Sequence, residues 1–179
     1  MRDEGEKVIL IGLGANLDHP LFGPPLETLI AAVTEIEKSF PVVRQSSWYS
    51  SAPVPLSDQP WFVNAVISIS SDYSLEKTLI FLGNIEKKFG RVRKKKWEAR
   101  VLDLDILTFD RDVTTNQDQL AGPVVPHPMI SQRAFVLAPI AEIAPEWRHP
   151  VTELRAEEML SNLSVHQEFK ILAAGSAKE

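Results

Sequence analysis

Two aspartates, Asp103 and Asp105, stand two positions apart in the segment V-L-D-L-D-I-L. In a β-strand, side chains at this spacing leave the same face, with Cα atoms about 6.5–7 Å apart. Two carboxylates this close repel each other unless a cation lies between them. Mg²⁺ takes one or two carboxylates and completes its shell with water and substrate phosphate oxygens. The pair therefore predicts a site that two Mg²⁺ ions could share, although two solvated aspartates on a half-exposed strand would give the same pattern.

Basic residues lead into this segment. The window from Glu86 to Arg100 holds eight Lys and Arg against two Glu, whereas the whole chain has a formal net charge of −5. Within the window, Arg91, Arg93 and Arg100 offer guanidinium groups, which bind phosphate and can neutralise charge that develops in phosphoryl transfer. An acidic protein with one basic strip suits a small polyanion, such as the phosphates of a nucleotide, better than nucleic acid in general. Surface ion pairs and a solvated lysine-rich loop are the alternatives.

Further candidates combine an aromatic ring, an amide and a compact polar segment. Phe62 and Asn64 share one face of an alternating stretch, and His127, Arg133 and Phe135 lie in P-H-P-M-I-S-Q-R-A-F. The sequence lacks a P-loop, a complete G-x-G-x-x-G, an H-E-x-x-H and a G-x-S-x-G, and its four histidines lack metal-ligand spacing. It contains no cysteine, which excludes disulfides, thiolate metal sites and a cysteine nucleophile.

Hydrophobic periodicity predicts the elements that must position these residues. The apolar run 8–13 predicts a buried central strand ended by Gly12 and Gly14, and 42–50, 61–71 and 101–109 predict three further strands. Two prolines open a first helix, and Ser74 caps a second helix that stops at Gly90. The apolar stripes expected to face the core comprise Leu26, Leu29, Ile30, Val33 and Ile36, then Trp61, Val63, Ala65, Ile67 and Ile69, then Leu75, Leu79, Leu82, Ile85 and Phe89.

The order strand, helix, strand, strand, helix, strand predicts a ferredoxin-like βαββαβ core, an α+β fold with an antiparallel sheet and both helices on one face. In this topology the third and fourth strands flank the first, so Phe62 and Asn64 should lie about 10 Å from the two aspartates across it. These residues should border the free face of the sheet, together with Val101, Leu107 and Phe109. The C-terminal additions are a proline-interrupted stretch over 126–145 and a small helix over 153–163.

The length of 179 residues fits one domain, with a catalytic core over about 8–163 and a polar C-terminal tail over about 164–179. With 44% hydrophobic and 24% charged residues, the composition excludes wholesale disorder, collagen and coiled coil. The apolar run 8–17 is about half the length of a bilayer span, so neither a transmembrane helix nor a signal peptide is expected. We expect a cytoplasmic monomer that binds neither membrane nor nucleic acid, since a chain without cysteine suits a reducing compartment.

Six segments resemble, in order, the 6-hydroxymethyl-7,8-dihydropterin pyrophosphokinases of folate biosynthesis. They are L-G-A-N-L at 13–17, D-Q-P-W-F-V-N-A-V at 58–66, G-R-V-R at 90–93, R-V-L-D-L-D-I at 100–106, V-P-H-P at 125–128 and R-A-F-V-L-A-P at 133–139. Any one could arise by chance, but six in this order and spacing are highly specific.

The resemblance implies an enzyme that moves the β,γ-pyrophosphoryl group of ATP onto the hydroxymethyl oxygen of a reduced pterin and releases AMP, with two Mg²⁺ ions held by Asp103 and Asp105. It implies catalytic roles for these aspartates and for Arg91 and Arg100. The residues implied in pterin binding are Ser51, Val54, Phe62, Asn64 and Phe135, with the ring stacked between the two phenylalanines. The residues implied in ATP binding are Glu86, Arg91, Trp97, Arg100, His127 and Arg133.

The sequence departs from the family pattern in two places. Residues 14–16 read Gly-Ala-Asn where the family usually has Gly-Ser-Asn, and 97–100 read Trp-Glu-Ala-Arg where it often has Trp-Gly-Pro-Arg. The second change alters a loop expected to close over ATP. Two other functions therefore stay open: a ferredoxin-like module that binds RNA or a small ligand without catalysis, and a pyrophosphokinase that binds pterin but has lost turnover. The two aspartates argue against the first, because carboxylates repel a phosphate backbone unless a metal intervenes.

Overall fold

A computed structural model describes residues 7–90, 99–114 and 122–173. The strands are β1 (Lys7–Ala15), β2 (Val42–Gln45), β3 (Tyr49–Ser51), β4 (Phe62–Ser71), β5 (Asp103–Phe109) and β6 (Phe169–Ile171), and the helices are α1 (Pro25–Glu37), α2 (Leu75–Lys88), α3 (Ala134–Ile143) and α4 (Ala156–Ser161). The strands form one antiparallel sheet in the order β5-β1-β4-β3-β6, and β2 also pairs with β4. The predicted ferredoxin-like core, with β1 between β4 and β5, is confirmed.

The central strand is longer than predicted. Gly12 and Gly14 do not end β1, which runs on to Ala15 and pairs on both sides along its length. The glycines have a packing role instead, because their neighbours occupy the space where side chains would stand. A Cβ on Gly12 would lie 3.2 Å from a methyl carbon of Leu107, and one on Gly14 would lie 3.2 Å from Oδ1 of Asn64.

Helices α1 and α2 cover one face of the sheet and form the main core with it. The predicted cap and stop of α2 are confirmed: Ser74 Oγ accepts a hydrogen bond from the Lys77 amide at 3.3 Å, and Gly90 has a φ of 73°. The predicted apolar stripes are wrong at two positions, because Ile30 is 43% exposed and Leu79 is 40% exposed. The fully buried Thr28 and Thr78 occupy the packing faces of these helices instead.

Two predicted strands differ in detail. The segment 42–50 forms two strands, β2 and β3, rather than one, because the amide of Ser47 donates to the Glu142 carboxylate instead of to the sheet. Trp61, expected on the core face, precedes β4 and is 42% exposed.

A shift in register separates the two halves of β5. Leu10 pairs with Thr108 whereas Ile11 pairs with Ile106, so one residue of β5 is extra at this point. An extra residue reverses the alternation beyond it. Phe109, expected on the free face, therefore packs in the main core, whereas Leu107 lies on the other side of the sheet.

The second face of the sheet is only partly free, which corrects the prediction of an open face. Leu10, Val66 and Leu107 pack against α3 and α4 in a second core. The stretch 126–145, expected to be proline-interrupted, contains the ten-residue helix α3 with Pro139 buried inside it. Helix α4 is shorter than the predicted 153–163. Among the described residues, the predicted polar site residues lie beside the N-terminal end of β5 and the C-terminal end of β1.

The C-terminal segment returns to the sheet. Strand β6 lies within the segment predicted to be a polar tail and pairs with β3, with Phe169 opposite Ser51 and Ile171 opposite Tyr49. This pairing brings residues 167–169 beside the polar end of the sheet.

Candidate active site

The register of three neighbouring strands brings the predicted site residues into one row. Gly14 of β1 pairs with Asn64 of β4 on one side and with Asp103 of β5 on the other, and Gly12 pairs with Asp105. Because neighbouring strands lie about 4.8 Å apart, Asn64 and Asp103 are separated by about 10 Å across a strand whose residues there have no side chain. The row has the amide of Asn64 at one end and the two carboxylates at the other.

The two carboxylates have different surroundings. Asp103 forms an ion pair with the guanidinium of Arg100, three residues earlier on the segment entering β5. Asp105 lies further along the strand, with Oδ2 4.0 Å from Nε2 of His127. Desolvation and the neighbouring Asp103 carboxylate raise the pKa of Asp105 to about 7, although Arg133 and Arg100 act in the opposite direction. A bound cation would relieve this repulsion.

The donor set fits a hard divalent cation that also binds substrate. No group of three or more His, Cys, Asp or Glu side chains within residues 7–90, 99–114 and 122–173 could enclose a metal ion. Two carboxylates on one strand face are instead the set that Mg²⁺ uses when phosphate oxygens and water supply the remaining positions.

Cationic and neutral donors surround the carboxylates. Arg133, at the start of α3, contributes to the electrostatic surroundings of both Asp105 and His127. Burial and the positive charge of Arg133 lower the pKa of His127 to about 4, so its imidazole is neutral near pH 7. Nδ1 of His127 accepts the Met129 amide at 3.1 Å, which leaves the proton on Nε2, the nitrogen that faces Asp105. Arg91 and Trp97, the other predicted ATP contacts, lie outside the described residues.

The other end of the row carries the predicted pterin contacts. Asn64 is 5% exposed, and its Nδ2 donates to Oγ of Ser51 at 2.8 Å, which fixes the orientation of the amide. Phe62 pairs with Ser51 and is half-buried, and Val54 lies at the partly exposed start of the following loop.

Phe135 stands in the first turn of α3, where it packs partly against the second core. Its ring centroid lies 5.7 Å from the guanidinium carbon of Arg133. The beginning of α3 therefore places an arginine and an aromatic ring within three residues of each other.

Glu86 supports the row from within the protein. This residue of the last turn of α2 is 5% exposed, and its Oε1 accepts the amide of Leu104 at 2.8 Å. Leu104 lies between the two aspartates, so the contact fixes the backbone that carries both. The structure thus places Glu86 behind β5.

Asn16 holds together the segments that carry the predicted site, although it was not among the residues predicted from the sequence. It is 2% exposed, and its Oδ1 accepts the Arg100 amide at 2.7 Å. Its Nδ2 donates to Oε1 of Gln59 at 3.2 Å and to the carbonyl oxygen of Pro60 at 3.1 Å. One amide therefore joins the end of β1 to the segments that lead into β4 and β5. The feature of the sequence that could have indicated Asn16 is its position directly after a buried strand.

Residues 10–145 match the family model of 7,8-dihydro-6-hydroxymethylpterin-pyrophosphokinase (HPPK). The chain belongs to the HPPK family. It is 39% identical over 144 residues to a 2-amino-4-hydroxy-6-hydroxymethyldihydropteridine pyrophosphokinase of Synechocystis sp., covering 79% of this chain and 68% of the relative. It is 34% identical over 161 residues to the enzyme of the same name from Haemophilus influenzae, covering 90% and 96%. The family resemblance read from the six segments is confirmed.

Solved structures agree with the HPPK fold. The wild-type HPPK-DHPS of Plasmodium falciparum with STZ-DHP superposes with a TM-score of 0.66 at 12% identity. The match covers 90% of this chain and 44% of the P. falciparum chain, so at this low identity it supports the fold alone.

HPPK activity is the transfer of pyrophosphate from ATP to hydroxymethyldihydropterin in folate synthesis, and the chain is an ATP-dependent diphosphokinase. None of the helices in the described ranges has the length and apolar character needed to cross a membrane.

Proposed function

We propose that the row Asn64–Gly14–Asp103 is the active site of this HPPK, with the pterin bound at the Asn64 end and the ATP phosphates at the carboxylate end. The observation that carries the proposal is the register that aligns an oriented buried amide with a carboxylate pair across a glycine. A flat heterocycle requires aromatic faces and an edge-reading amide, whereas a polyphosphate requires cations.

At the pterin end, Asn64 is held by Ser51 and hydrogen-bonds the edge of the ring. Phe62 and Phe135 stack on its two faces, and the backbone at Ser51 and Val54 closes the pocket. This assignment is supported by the half-buried state of both phenylalanines and by the fixed amide of Asn64. It places the hydroxymethyl group towards Asp103.

At the nucleotide end, Asp103 and Asp105 would hold two Mg²⁺ ions, which supply charge neutralisation to the β- and γ-phosphates when bound. Arg100, Arg133 and His127 surround the phosphates, and Arg91 and Trp97 complete the nucleotide contacts. Glu86 contributes from behind β5, because its hydrogen bond to the Leu104 amide fixes the strand between the two aspartates.

The reaction is an in-line displacement at the β-phosphorus. The hydroxymethyl oxygen forms a bond to this phosphorus, the bond from the phosphorus to the oxygen bridging the α-phosphate breaks, and AMP leaves with the electron pair of that bond. The hydroxyl proton is lost to solvent or to an acceptor in the site. Arg100 and Arg133 stabilise the charge that develops on the transferred oxygens. The chain's own contribution is positioning and electrostatics, without a covalent intermediate.

The composition of the chain bears on the compartment and the partners of the protein. We propose a single catalytic domain, with its core over about 8–163, that acts as a cytoplasmic monomer without nucleic acid. The absence of cysteine supports the cytoplasmic compartment, and the net charge of −5 supports a protein that does not bind nucleic acid. Light scattering of the purified protein coupled to size exclusion measures the oligomeric state, and a dimer would contradict the monomer.

The test is to incubate the full chain with ATP, Mg²⁺ and 6-hydroxymethyl-7,8-dihydropterin and to identify the nucleotide product. AMP is expected from wild type, and Asp103→Asn should lower kcat by at least about 100-fold because losing a metal ligand costs several kcal/mol. The variant should still bind the pterin without nucleotide. ADP as product would contradict pyrophosphoryl transfer, no nucleotide product would favour a binding module, and a variant retaining a tenth of wild-type kcat would remove the metal role from Asp103.

A further inference from the structure

The C-terminal segment 164–173 contacts the active-site end of the sheet. Strand β6 pairs with β3, the amide of Ala52 donates to the Glu168 carbonyl oxygen at 3.0 Å, and the Leu172 amide donates to the Trp48 carbonyl oxygen at 2.8 Å. These contacts place the segment directly beside Ser51, which holds the amide of Asn64. None of the roles proposed above uses a residue of this segment.

One side chain of the segment reaches across to α3. Oε1 of Gln167 accepts the amide of Ala134 at 3.0 Å, and Nε2 of Gln167 donates to the carbonyl oxygen of Gln132 at 2.8 Å. The two bonded peptide groups lie on either side of Arg133. Residues 164–171 are otherwise exposed, so Gln167 is the one member of this stretch whose side chain is partly buried.

The beginning of α3 requires such a partner. The first amides of a helix have no acceptor within the helix, and a preceding polar side chain usually supplies one. The residue in that position is Arg133, with φ −123° and ψ 108°, and a guanidinium group has only donors. Gln167 supplies the acceptor from a segment more than thirty residues away in sequence.

We propose that Gln167 is a positioning residue of the active site, which fixes the backbone of Gln132–Ala134 and thereby sets where Arg133 and Phe135 stand. This inference rests on the roles proposed for those two residues. A glutamine has both a donor and an acceptor, so it holds a peptide amide and a peptide carbonyl at the same time. Arg133 lies between the two held groups and Phe135 follows within the same turn.

The competing interpretation is that Gln167 only stabilises a helix end. A stabilising cap changes the melting temperature but leaves the affinity of the folded protein unchanged. A positioning residue changes ligand affinity and the catalytic constants at temperatures where every variant is folded, because small displacements of binding groups lower rates strongly.

The test compares full-length Gln167→Ala with Glu168→Ala, a matched control that shortens an exposed neighbouring side chain. Calorimetry measures binding of α,β-methylene-ATP with Mg²⁺ and of 6-hydroxymethylpterin, and steady-state kinetics measures kcat and KM well below the melting temperature. Gln167→Ala should weaken both ligands by about three- to tenfold and lower kcat/KM at least as much. Glu168→Ala should match wild type. Unchanged constants in Gln167→Ala, with or without a lower melting temperature, would overturn the proposal.

A second variant separates the two bonds. Gln167→Glu keeps the acceptor for the Ala134 amide but loses the donor to the Gln132 carbonyl. It should melt below wild type, because a carboxylate oxygen then faces the Gln132 carbonyl oxygen, and it should bind both ligands more weakly than wild type. Wild-type affinity in Gln167→Glu together with a loss in Gln167→Ala would assign the positioning to the helix cap alone. Wild-type affinities in both Gln167→Glu and Gln167→Ala would contradict positioning, whatever their melting temperatures.

Arg133→Ala and Phe135→Ala, measured in the same series, separate this inference from the site assignment. If both variants weaken their ligands and Gln167→Ala does not, only the role of Gln167 is wrong. If neither variant changes affinity, the assignment of α3 to the site is wrong and the inference fails with it.

Discussion

Asp105 lies two positions from a second carboxylate, Asp103, and this crowding has a measurable pH signature. With a pKa of about 7, the folded state binds a proton more tightly than the unfolded state does, so between about pH 4 and 7 the folded protein carries the additional proton. The stabilisation that protonated Asp105 contributes is fully present below about pH 4 and is lost as the pH rises through about 7. A salt-bridged aspartate shows the opposite pH dependence, because its stabilisation is lost as the pH falls.

Asp105→Asn should therefore raise the melting temperature of the metal-free protein by a few degrees at pH 8 and by almost nothing near pH 4. The measurement is a series of thermal melts in the presence of a chelator, with Asp72→Asn, on an exposed loop, as the control. A difference in melting temperature that does not change between these two pH values would contradict the proposed repulsion.

Gly14 offers a second residue-scale prediction. A Cβ at this position would stand 3.2 Å from Oδ1 of Asn64, so the amide must move by a few tenths of an ångström. Gly14→Ala should weaken pterin binding by about tenfold, because the displaced amide no longer meets the ring edge at hydrogen-bonding distance.

Gly12→Ala is the matched control for Gly14→Ala. Its added methyl group meets the side chain of Leu107 at 3.2 Å, within the second core rather than the site. We expect it to lower stability by about 1 kcal/mol and to leave pterin affinity unchanged. Equal effects of both variants on pterin titrations would show that the glycines act only through packing.

At the scale of elements, Asn16 links β1 to the segments that precede β4 and β5. Asn16→Ala removes three hydrogen bonds made by a side chain that is 2% exposed, which should cost about 1–3 kcal/mol of unfolding free energy. It should lower kcat as well, because Arg100 loses its anchor.

Asn16→Asp tests which link matters, since the carboxylate can still accept the Arg100 amide but cannot donate to Gln59 or Pro60. We expect its affinity for a non-hydrolysable ATP analogue to stay close to wild type while pterin affinity falls. The reverse pattern in calorimetric titrations would contradict the assignment of the Asn16–Arg100 bond to the nucleotide side.

The elements most accessible from sequence were those whose signals are local. The placement of Val63, Ala65, Ile67 and Ile69 in the main core, the Ser74 cap, the Gly90 stop and the same-face placement of Asp103 and Asp105 depend on neighbouring residues, and the structure agrees with each. Asn64 and Asp103 could be placed about 10 Å apart because the topology sets which strands are neighbours.

Other features depend on contacts that a local pattern does not contain. The position of Phe109 depends on an extra residue in β5, visible only once β1 and β5 are paired. Helix α3 was missed because proline signals an interruption, yet Pro139 is buried within a helix whose packing offsets the lost hydrogen bond. The contacts of Glu86, Asn16 and Gln167 with backbone groups join segments distant in sequence, so residue type alone did not indicate them.

At the scale of the whole molecule, one sheet separates two hydrophobic cores. The main core lies under α1 and α2, and the second lies under α3 and α4. Since β1, β4 and β5 contribute residues to both, each core depends on the same strands, and we expect the molecule to unfold as a unit.

Leu137→Ala tests this dependence, because Leu137 is fully buried between α3 and the sheet. The substitution should lower the unfolding free energy by about 2–5 kcal/mol through lost transfer energy and a cavity. Denaturant unfolding followed by tryptophan fluorescence and by circular dichroism should give coincident transitions. Ile80→Ala, 63% exposed on α2, is the control and should change little. Two separate transitions would show that the cores unfold independently.

The pairing of Gly14 with both Asn64 and Asp103 also fixes a length. The separation between the backbones of Asn64 and Asp103 equals two interstrand spacings, which backbone hydrogen bonds hold at about 4.8 Å each. In the proposed site, the sheet backbone therefore fixes the distance between the residue assigned to the pterin and the residue assigned to the phosphates. A pterin whose hydroxyl is carried on one additional methylene would bring its oxygen about 1 Å too far, a displacement of the size that costs about 100-fold in rate, so this enzyme should select its acceptor by reach as well as by ring.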